Sequence, residues 1–287
     1  MRTAAVSAVR KPVRLRGSER GFTLLELMAV MVIIAFVMAM LLPALSKSKA
    51  RAEGIYCLSN IKQLQMAWEM YAGDHQEWLP GVVIGSGSGP GRWVSGWLDT
   101  SSSPDNTNTT FLTDARYSQL APYLKGFEVY HCPSDRSTAQ IGGHSYQRVR
   151  SESMNCWMNY TGNNDIGQDT YQIFRKINQI MEPPPGEAWV FIDESAETIN
   201  DGLFQTNLKA RGNTTQIVDY PASNHDLAAG VSFADGHAII NRWLDHRTTA
   251  LLKTSQLIQL AAPVSSPNNT DILWLQDHAS TAKAAAE

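Results

Sequence analysis

The chain has 287 residues, enough for one large domain or two small ones, and its 43% apolar content is ordinary for a protein with a packed core. Arg2, Arg10, Lys11, Arg14, Arg16 and Arg20 crowd the first twenty residues against Glu19 alone; setting that segment aside leaves 18 cations against 26 anions and moves the formal charge from −3 to −8. An acidic remainder argues against nucleic-acid binding. Three cysteines, Cys57, Cys132 and Cys156, are too few for a disulfide scaffold and fit no local zinc spacing such as C-x2-C.

After the basic segment every residue from 27 to 42 is apolar, and over 22–45 only Thr23, Glu26 and Pro43 interrupt the run. As a helix rising ~1.5 Å per residue this stretch reaches about 36 Å, enough to cross a ~30 Å hydrocarbon layer. Six cations precede it and Lys47, Lys49 and Arg51 follow, a bias that favours a cytoplasmic N-terminus and an exported C-terminus. Pro43 removes one helical hydrogen bond and predicts a kink or a local loosening. An ordinary secretory signal is the plainer alternative, but its cleavage site would follow the apolar core, where no A-x-A pattern occurs.

The distinctive residues stand before the core. Gly21-Phe22-Thr23-Leu24-Leu25-Glu26, with basic residues upstream and an unbroken apolar run downstream, resembles the cleavage and methylation signature of type IV pilins and type II secretion pseudopilins. The resemblance implies cleavage by prepilin peptidase between Gly21 and Phe22, methylation of the new Phe22 amine and retention of the apolar helix as an inner-membrane anchor. A carboxylate in hydrocarbon is costly unless paired. In pilin-like filaments the glutamate is thought to neutralise the N-terminal ammonium of an adjacent subunit, so Glu26 would serve assembly; the plainer alternative is an incidental acid at a helix end. The implied partners are the peptidase, other pilin or pseudopilin subunits, and secretion or pilus assembly machinery.

Beyond the span, Ile55, Leu58, Ile61, Leu64, Trp68 and Tyr71 recur every three or four residues and predict that the helix continues, amphipathic, to about Ala72. Gly/Ser-rich residues 84–93 and polar residues 101–110 read as surface loops. A short helix is predicted at 114–124, and strands at 127–133, 146–154, 188–193 and 231–245, the last a hairpin turning at Asp235-Gly236 with positive φ at both positions. Residues 171–181 are ambiguous, 249–260 look helical, and the tail after His278 reads as frayed. The expected architecture is α+β and pilin-like: a leader over 1–21, a membrane segment over 22–45, an amphipathic continuation over 46–72, an extracytoplasmic head over 73–278 with an antiparallel sheet, and a loose end over 279–287.

The head also resembles a group of large pseudopilin-like proteins. The resemblance rests on Cys57-x-x-Asn60-x-Lys62-Gln63-Leu64, Trp93-Val94-Ser95-Gly96-Trp97, His131-Cys132-Pro133-Ser134-Asp135, Arg150-Ser151 with Met154-Asn155, and His225 followed after nine residues by Asp235-Gly236-His237. The last cysteine is Cys156, so the C-terminal cysteine-closed loop of adhesive pilins is absent from the pattern.

Local chemistry leaves several readings open. Asp193, Glu194, Asn200 and Asp201 could converge on calcium, against ordinary solvated or capping roles. His225, Asp235 and His237 could hold a transition metal or form an acid/base pair in a membrane-tethered enzyme, although turn chemistry already accounts for Asp235-Gly236. Trp93 and Trp97 could form a sugar-stacking platform, making the head a binding module for polysaccharide or secretion substrate, against simple core filling. Cys57 and Cys132 could form a disulfide tying helix to head, with Cys156 an alternative partner. No G-x-S-x-G elbow or phosphate-cradling loop is present, which leaves an enzyme with little support.

Overall fold

The computed structural model describes residues 21–99, 101–250 and 263–283. One helix, α1 (Leu24–Asp74), ends two residues beyond the predicted limit and is helical through position 43. The chain divides into two compact units, residues 1–47 and 48–287. In the first, Leu24–Leu42 is long and apolar enough to span a membrane, with a mean hydropathy of 2.7 and no burial within the protein.

The second unit is α+β. Its centre is a five-stranded sheet in the order β5-β3-β4-β7-β8, built from β3 (Glu152–Asn155), β4 (Trp189–Asp193), β5 (Leu203–Phe204), β7 (Ala228–Phe233) and β8 (Ala238–Arg242). All pairings are antiparallel except β3 with β5. Two small two-stranded sheets, β1 (Thr138–Ile141) with β2 (His144–Gln147) and β6 (Gln216–Ile217) with β9 (Val264–Ser265), and the short helices α2 (Thr110–Thr113) and α3 (Thr270–Asp277) complete it.

Residues 48–74 of α1 lie across the sheet. The buried face is Gly54, Cys57, Ile61, Leu64, Gln65, Trp68, Tyr71 and Ala72, the three-and-four spacing of an amphipathic helix. Ile55, predicted to belong to it, is 69% exposed, because Gly54 and Cys57 take the inward positions of that turn. Contact is close where β7 carries Gly230: a Cβ there would stand 3.1 Å from Cys57 Sγ and 3.6 Å from Ile61 Cδ1. One residue pair further along, Ser232 Oγ donates to Gln65 Oε1 at 3.0 Å and accepts from the Phe191 amide at 3.0 Å, so helix, β7 and β4 share one buried hydroxyl. At the other end of β4, Trp189 Nε1 donates to the Leu275 carbonyl of α3 at 3.0 Å.

Several expected elements are replaced, two of them because side chains capture the backbone. The strand predicted at 127–133 is a 3-10 turn, Glu128–Tyr130, whose Glu128 and His131 carbonyls accept from Asn60 Nδ2 of α1. The strand predicted at 146–154 is broken between β2 and β3, where buried Arg148 and Arg150 turn inward to donate to the carbonyls of Ala196, Ile199, Glu152 and Asp201. The helix predicted at 114–124 is the single turn α2 upstream and a 3-10 turn, Ala121–Tyr123, downstream. Residues 171–181 make isolated bridges and a 3-10 turn. The hairpin β7–β8 is present, but positive φ occurs at Gly236 (+92°) and not at Asp235. The helix predicted at 249–260 falls almost wholly outside the described residues. The tail does not fray directly after His278: Ala279 is fully buried, Ala282 bridges Tyr171, and Asn155 Nδ2 donates to both the Trp189 and Ala279 carbonyls at 2.9 and 3.0 Å.

That double donor makes Asn155 a clamp on the sheet. Asn155→Ala leaves two buried carbonyls without a partner and is expected to cost about 1–3 kcal/mol of stability, read by chemical denaturation of the full chain in detergent. Gly236→Ala forces a side chain into the left-handed region and is expected to cost about 1–2 kcal/mol in the same measurement.

Candidate functional site

Phe22 is 80% exposed, and α1 opens with a reciprocal cap: Thr23 precedes the first helical residue and Glu26 is the third. The Glu26 amide donates to Thr23 Oγ1 at 3.2 Å, while the Thr23 amide and hydroxyl both donate to Glu26 Oε2 at 2.9 Å. Thr-x-x-Glu ahead of an apolar run is the sequence form of a capping box, which satisfies helix-end donors that would otherwise face hydrocarbon unpaired. The carboxylate thus has a partner inside its own chain, one residue from the bond at which the new amine would form.

In the head, the predicted sites rearrange. Trp93 is fully buried: its Nε1 donates to the Gly202 carbonyl at 2.7 Å and its ring meets Tyr130 and Phe191 at 5.9 and 5.1 Å. Trp97 is half-buried, beside Asp201 and Leu203 in a separate cavity of about 310 Å³. The two rings therefore form no exposed platform, because Trp93 is sealed by core packing.

The proposed calcium set also separates. Asp201 accepts from the Gly85 and Leu203 amides at 2.8 and 2.9 Å, Asn200 Oδ1 accepts from the Asp201 amide, and Glu194 Oε1 accepts from Thr198 Oγ1 at 3.1 Å. These contacts shape the loop, although Glu194 Oε2 is buried without a hydrogen-bond partner, and Asp193 joins a different cluster. His225 and Asp235 do not pair either. They flank opposite ends of β7, whose six residues at ~3.3 Å each hold those ends more than about 15 Å apart. The nine-residue gap of the motif is one strand with a turn at each end. Asp235 instead pairs with His237 across the exposed hairpin turn, Oδ1 to Nδ1 2.5 Å.

Residues assigned to three different sites meet in one place. Cys57 of α1, Cys132 after the 3-10 turn, Asp193 at the end of β4 and His225 before β7 are all buried, and one donor atom from each lies within 4.8 Å of the others. Cys132 Sγ stands 3.2 Å from His225 Nε2, and Cys57 Sγ stands 3.9 Å from both Asp193 Oδ2 and Glu152 Oε1. Cys57 and Cys132 are brought together as predicted, but as free thiols; Cys156 is remote, beside Thr206. Gly54 leaves room for the His225 ring, with a hypothetical Cβ 3.5 Å from Nδ1, and Gly230 leaves room for the Cys57 sulfur.

The electrostatics of this centre are unfavourable as it stands. Glu152 and Asp193 are directly opposed in the β3–β4 register and both are fully buried. Like charges in that position repel. Burial, reinforced by the mutual repulsion, raises the Glu152 carboxyl far above its ordinary range, and burial raises that of Asp193. The Cys57 thiol is raised by its hydrogen bond to Cys132 and by burial. That same bond pulls the Cys132 thiol down, but burial and the adjacent carboxylates outweigh it and push the thiol up to about 11. Burial lowers His225, which favours the neutral imidazole. Glu152 Oε2 and Asp193 Oδ1 have no hydrogen-bond partner.

Sequence reasoning found all four residues but not their union, since Cys57 and Asp193 are 136 residues apart and Cys132 and His225 are 93. The Cys57, Cys132 and His225 motifs occur together in the resemblance to large pseudopilin-like proteins, and that co-occurrence is the one signal in the sequence that points to their union.

Comparison with known proteins bears on the N-terminal segment. Residues 16–42 match the family described as the prokaryotic N-terminal methylation motif. Over 63 residues, 22% of this chain, the sequence is 38% identical to type II secretion system core protein G of Klebsiella michiganensis, a match that covers 44% of that relative's length. No solved structure matches the chain. The protein carries a prepilin-type N-terminal methylation motif on an apolar anchor helix, and over part of its length it is distantly related to a type II secretion pseudopilin.

Proposed function

We propose that this chain is a structural subunit of a type II secretion pseudopilus or a type IV pilus-like assembly, cut by prepilin peptidase between Gly21 and Phe22 and methylated on Phe22. The observation that carries this reading is the methylation motif over residues 16–42, with Glu26 placed five residues after Gly21 at the entrance to an apolar helix. The Phe22 helix holds the subunit in the inner membrane with the head outside the cytoplasm, and like helices from other subunits pack beside it.

Glu26 acts in two settings. In the separate subunit its carboxylate is held by Thr23. In the assembly it neutralises the ammonium that cleavage creates on a neighbour, an ionic pairing that is strong where water is excluded. Exchange of the internal partner for the external one ties assembly to processing, because an uncut chain has no amine at position 22. Partial similarity to core protein G supports the secretion setting over the adhesive one.

Two measurements test the reading. Intact-mass analysis of the protein from its native membrane is expected to show a chain starting at methylated Phe22; one retaining Met1, or cut beyond Leu45, removes the basis for the proposal. Glu26→Gln preserves the cap, since glutamine serves in a capping box, but removes the charge. Normal membrane insertion with at least a tenfold loss of filament incorporation is expected, at about 1.4 kcal/mol per decade of lost pairing, and unchanged incorporation would contradict the ionic role.

A further inference from the structure

We infer that Cys57, Cys132, Asp193 and His225 form a structural zinc site that fastens α1 to the sheet of the head. The inference goes beyond the assembly role and does not depend on it.

The donor set is two thiols, one imidazole and one carboxylate, a combination that suits a borderline-soft divalent ion in four-coordinate geometry and is poor for calcium, which takes six or more oxygens. Ligands about 2.0–2.3 Å from a tetrahedral zinc stand about 3.3–3.8 Å from one another. The contacts of 3.2 Å between Cys132 and His225 and 3.9 Å between Cys57 and Asp193 are close to those edges, and the whole set lies within 4.8 Å. Small side-chain adjustments close the remainder.

The imidazole is already oriented. Its Nε2 faces the cluster, while Nδ1 lies 3.5 Å from Ser134 Oγ, and Ser134 in turn donates to Glu53 at 2.9 Å. A ligating histidine is usually fixed in this way through its second nitrogen. Gly230 stands where a side chain would crowd a ligand, a Cβ there lying 3.1 Å from Cys57 Sγ.

A dication also resolves the buried charge. Asp193 Oδ1 and Glu152 Oε2 are enclosed and unpartnered, and the nearby Arg150 spends its donors on the carbonyls of Glu152 and Asp201 and on Ser153 Oγ. Zinc reduces the three negative charges of two thiolates and the Asp193 carboxylate to one, beside the Glu152 carboxyl and the buried Arg150 guanidinium. A Cys57–Cys132 disulfide, the competing use of these sulfurs, would remove two donors and leave the two carboxyl groups facing each other with Arg150 as the nearby cation. The four ligands come from α1, the loop before β1, β4 and the turn before β7, so the ion can be captured only as these segments come together and its binding contributes to folding.

The test uses the full chain, purified from membranes in detergent without chelator or reductant. Elemental analysis is expected to give about one zinc per chain, as for a closed structural site, falling at least tenfold in Cys57→Ser and in His225→Ala and unchanged in Cys156→Ser. Cobalt(II) loaded into the chelator-stripped wild-type protein is expected to show tetrahedral d–d bands and thiolate-to-cobalt charge transfer, a readout that does not require any variant to fold. Chelation is expected to lower the thermal midpoint by several degrees. Wild-type protein that contains no zinc and gives no thiolate–cobalt signal, or that yields Cys57 and Cys132 in one disulfide-linked peptide, overturns the inference.

Discussion

The absence of a side chain at Gly230 governs how residues 48–74 of α1 meet the sheet. With no Cβ on β7 at that point, the helix approaches until Cys57 Sγ and Ile61 touch the strand backbone. Close approach then places Gln65 against Ser232, seats Trp68 in the core and delivers the Cys57 sulfur to Asp193. The apolar face supplies most of the favourable energy of this contact through burial, but the glycine decides its depth. A larger residue there would hold the helix away and separate the polar groups beneath it, which are costly to bury apart.

Polar burial is the second theme of the head. Arg148, Arg150, Asn155 and Gln276 are all enclosed, and each spends its donors mainly on backbone carbonyls, tying irregular segments to one another or to the sheet. These side chains do the work that strand pairing does elsewhere. The five-stranded sheet is small for a unit of this size, and much of the remaining chain is turns and bridges held in this manner. The head therefore depends on specific hydrogen-bonding residues as much as on its aromatic core.

How much of this could be read from residue order follows from the range of each interaction. The apolar helix is legible because its signal is continuous and local: an unbroken apolar run and a following three-and-four stripe. The β7–β8 hairpin was legible for the same reason, as Asp235-Gly236 sits between two apolar stretches. The strand predicted at 127–133 was not, because Asn60, far away on α1, takes its carbonyls. Residue order leaves Trp93 open between a platform and core filling, and core filling is what Gly202 and Tyr130 impose, not its neighbours in sequence. The cluster at Cys57 was least legible, since its members lie on four segments and no pair has a recognisable spacing.

The reach of Asn155 has a bearing on how the protein is made. Its amide joins a carbonyl 34 residues ahead to one 124 residues ahead, and the Tyr171–Ala282 bridge spans a similar loop. Contacts of such long range form slowly and late. A head that lacks residues 279–282 lacks these ties, so the edge of the core around Asn155 and Tyr171 closes only when the segment some 110–125 residues further on has joined it.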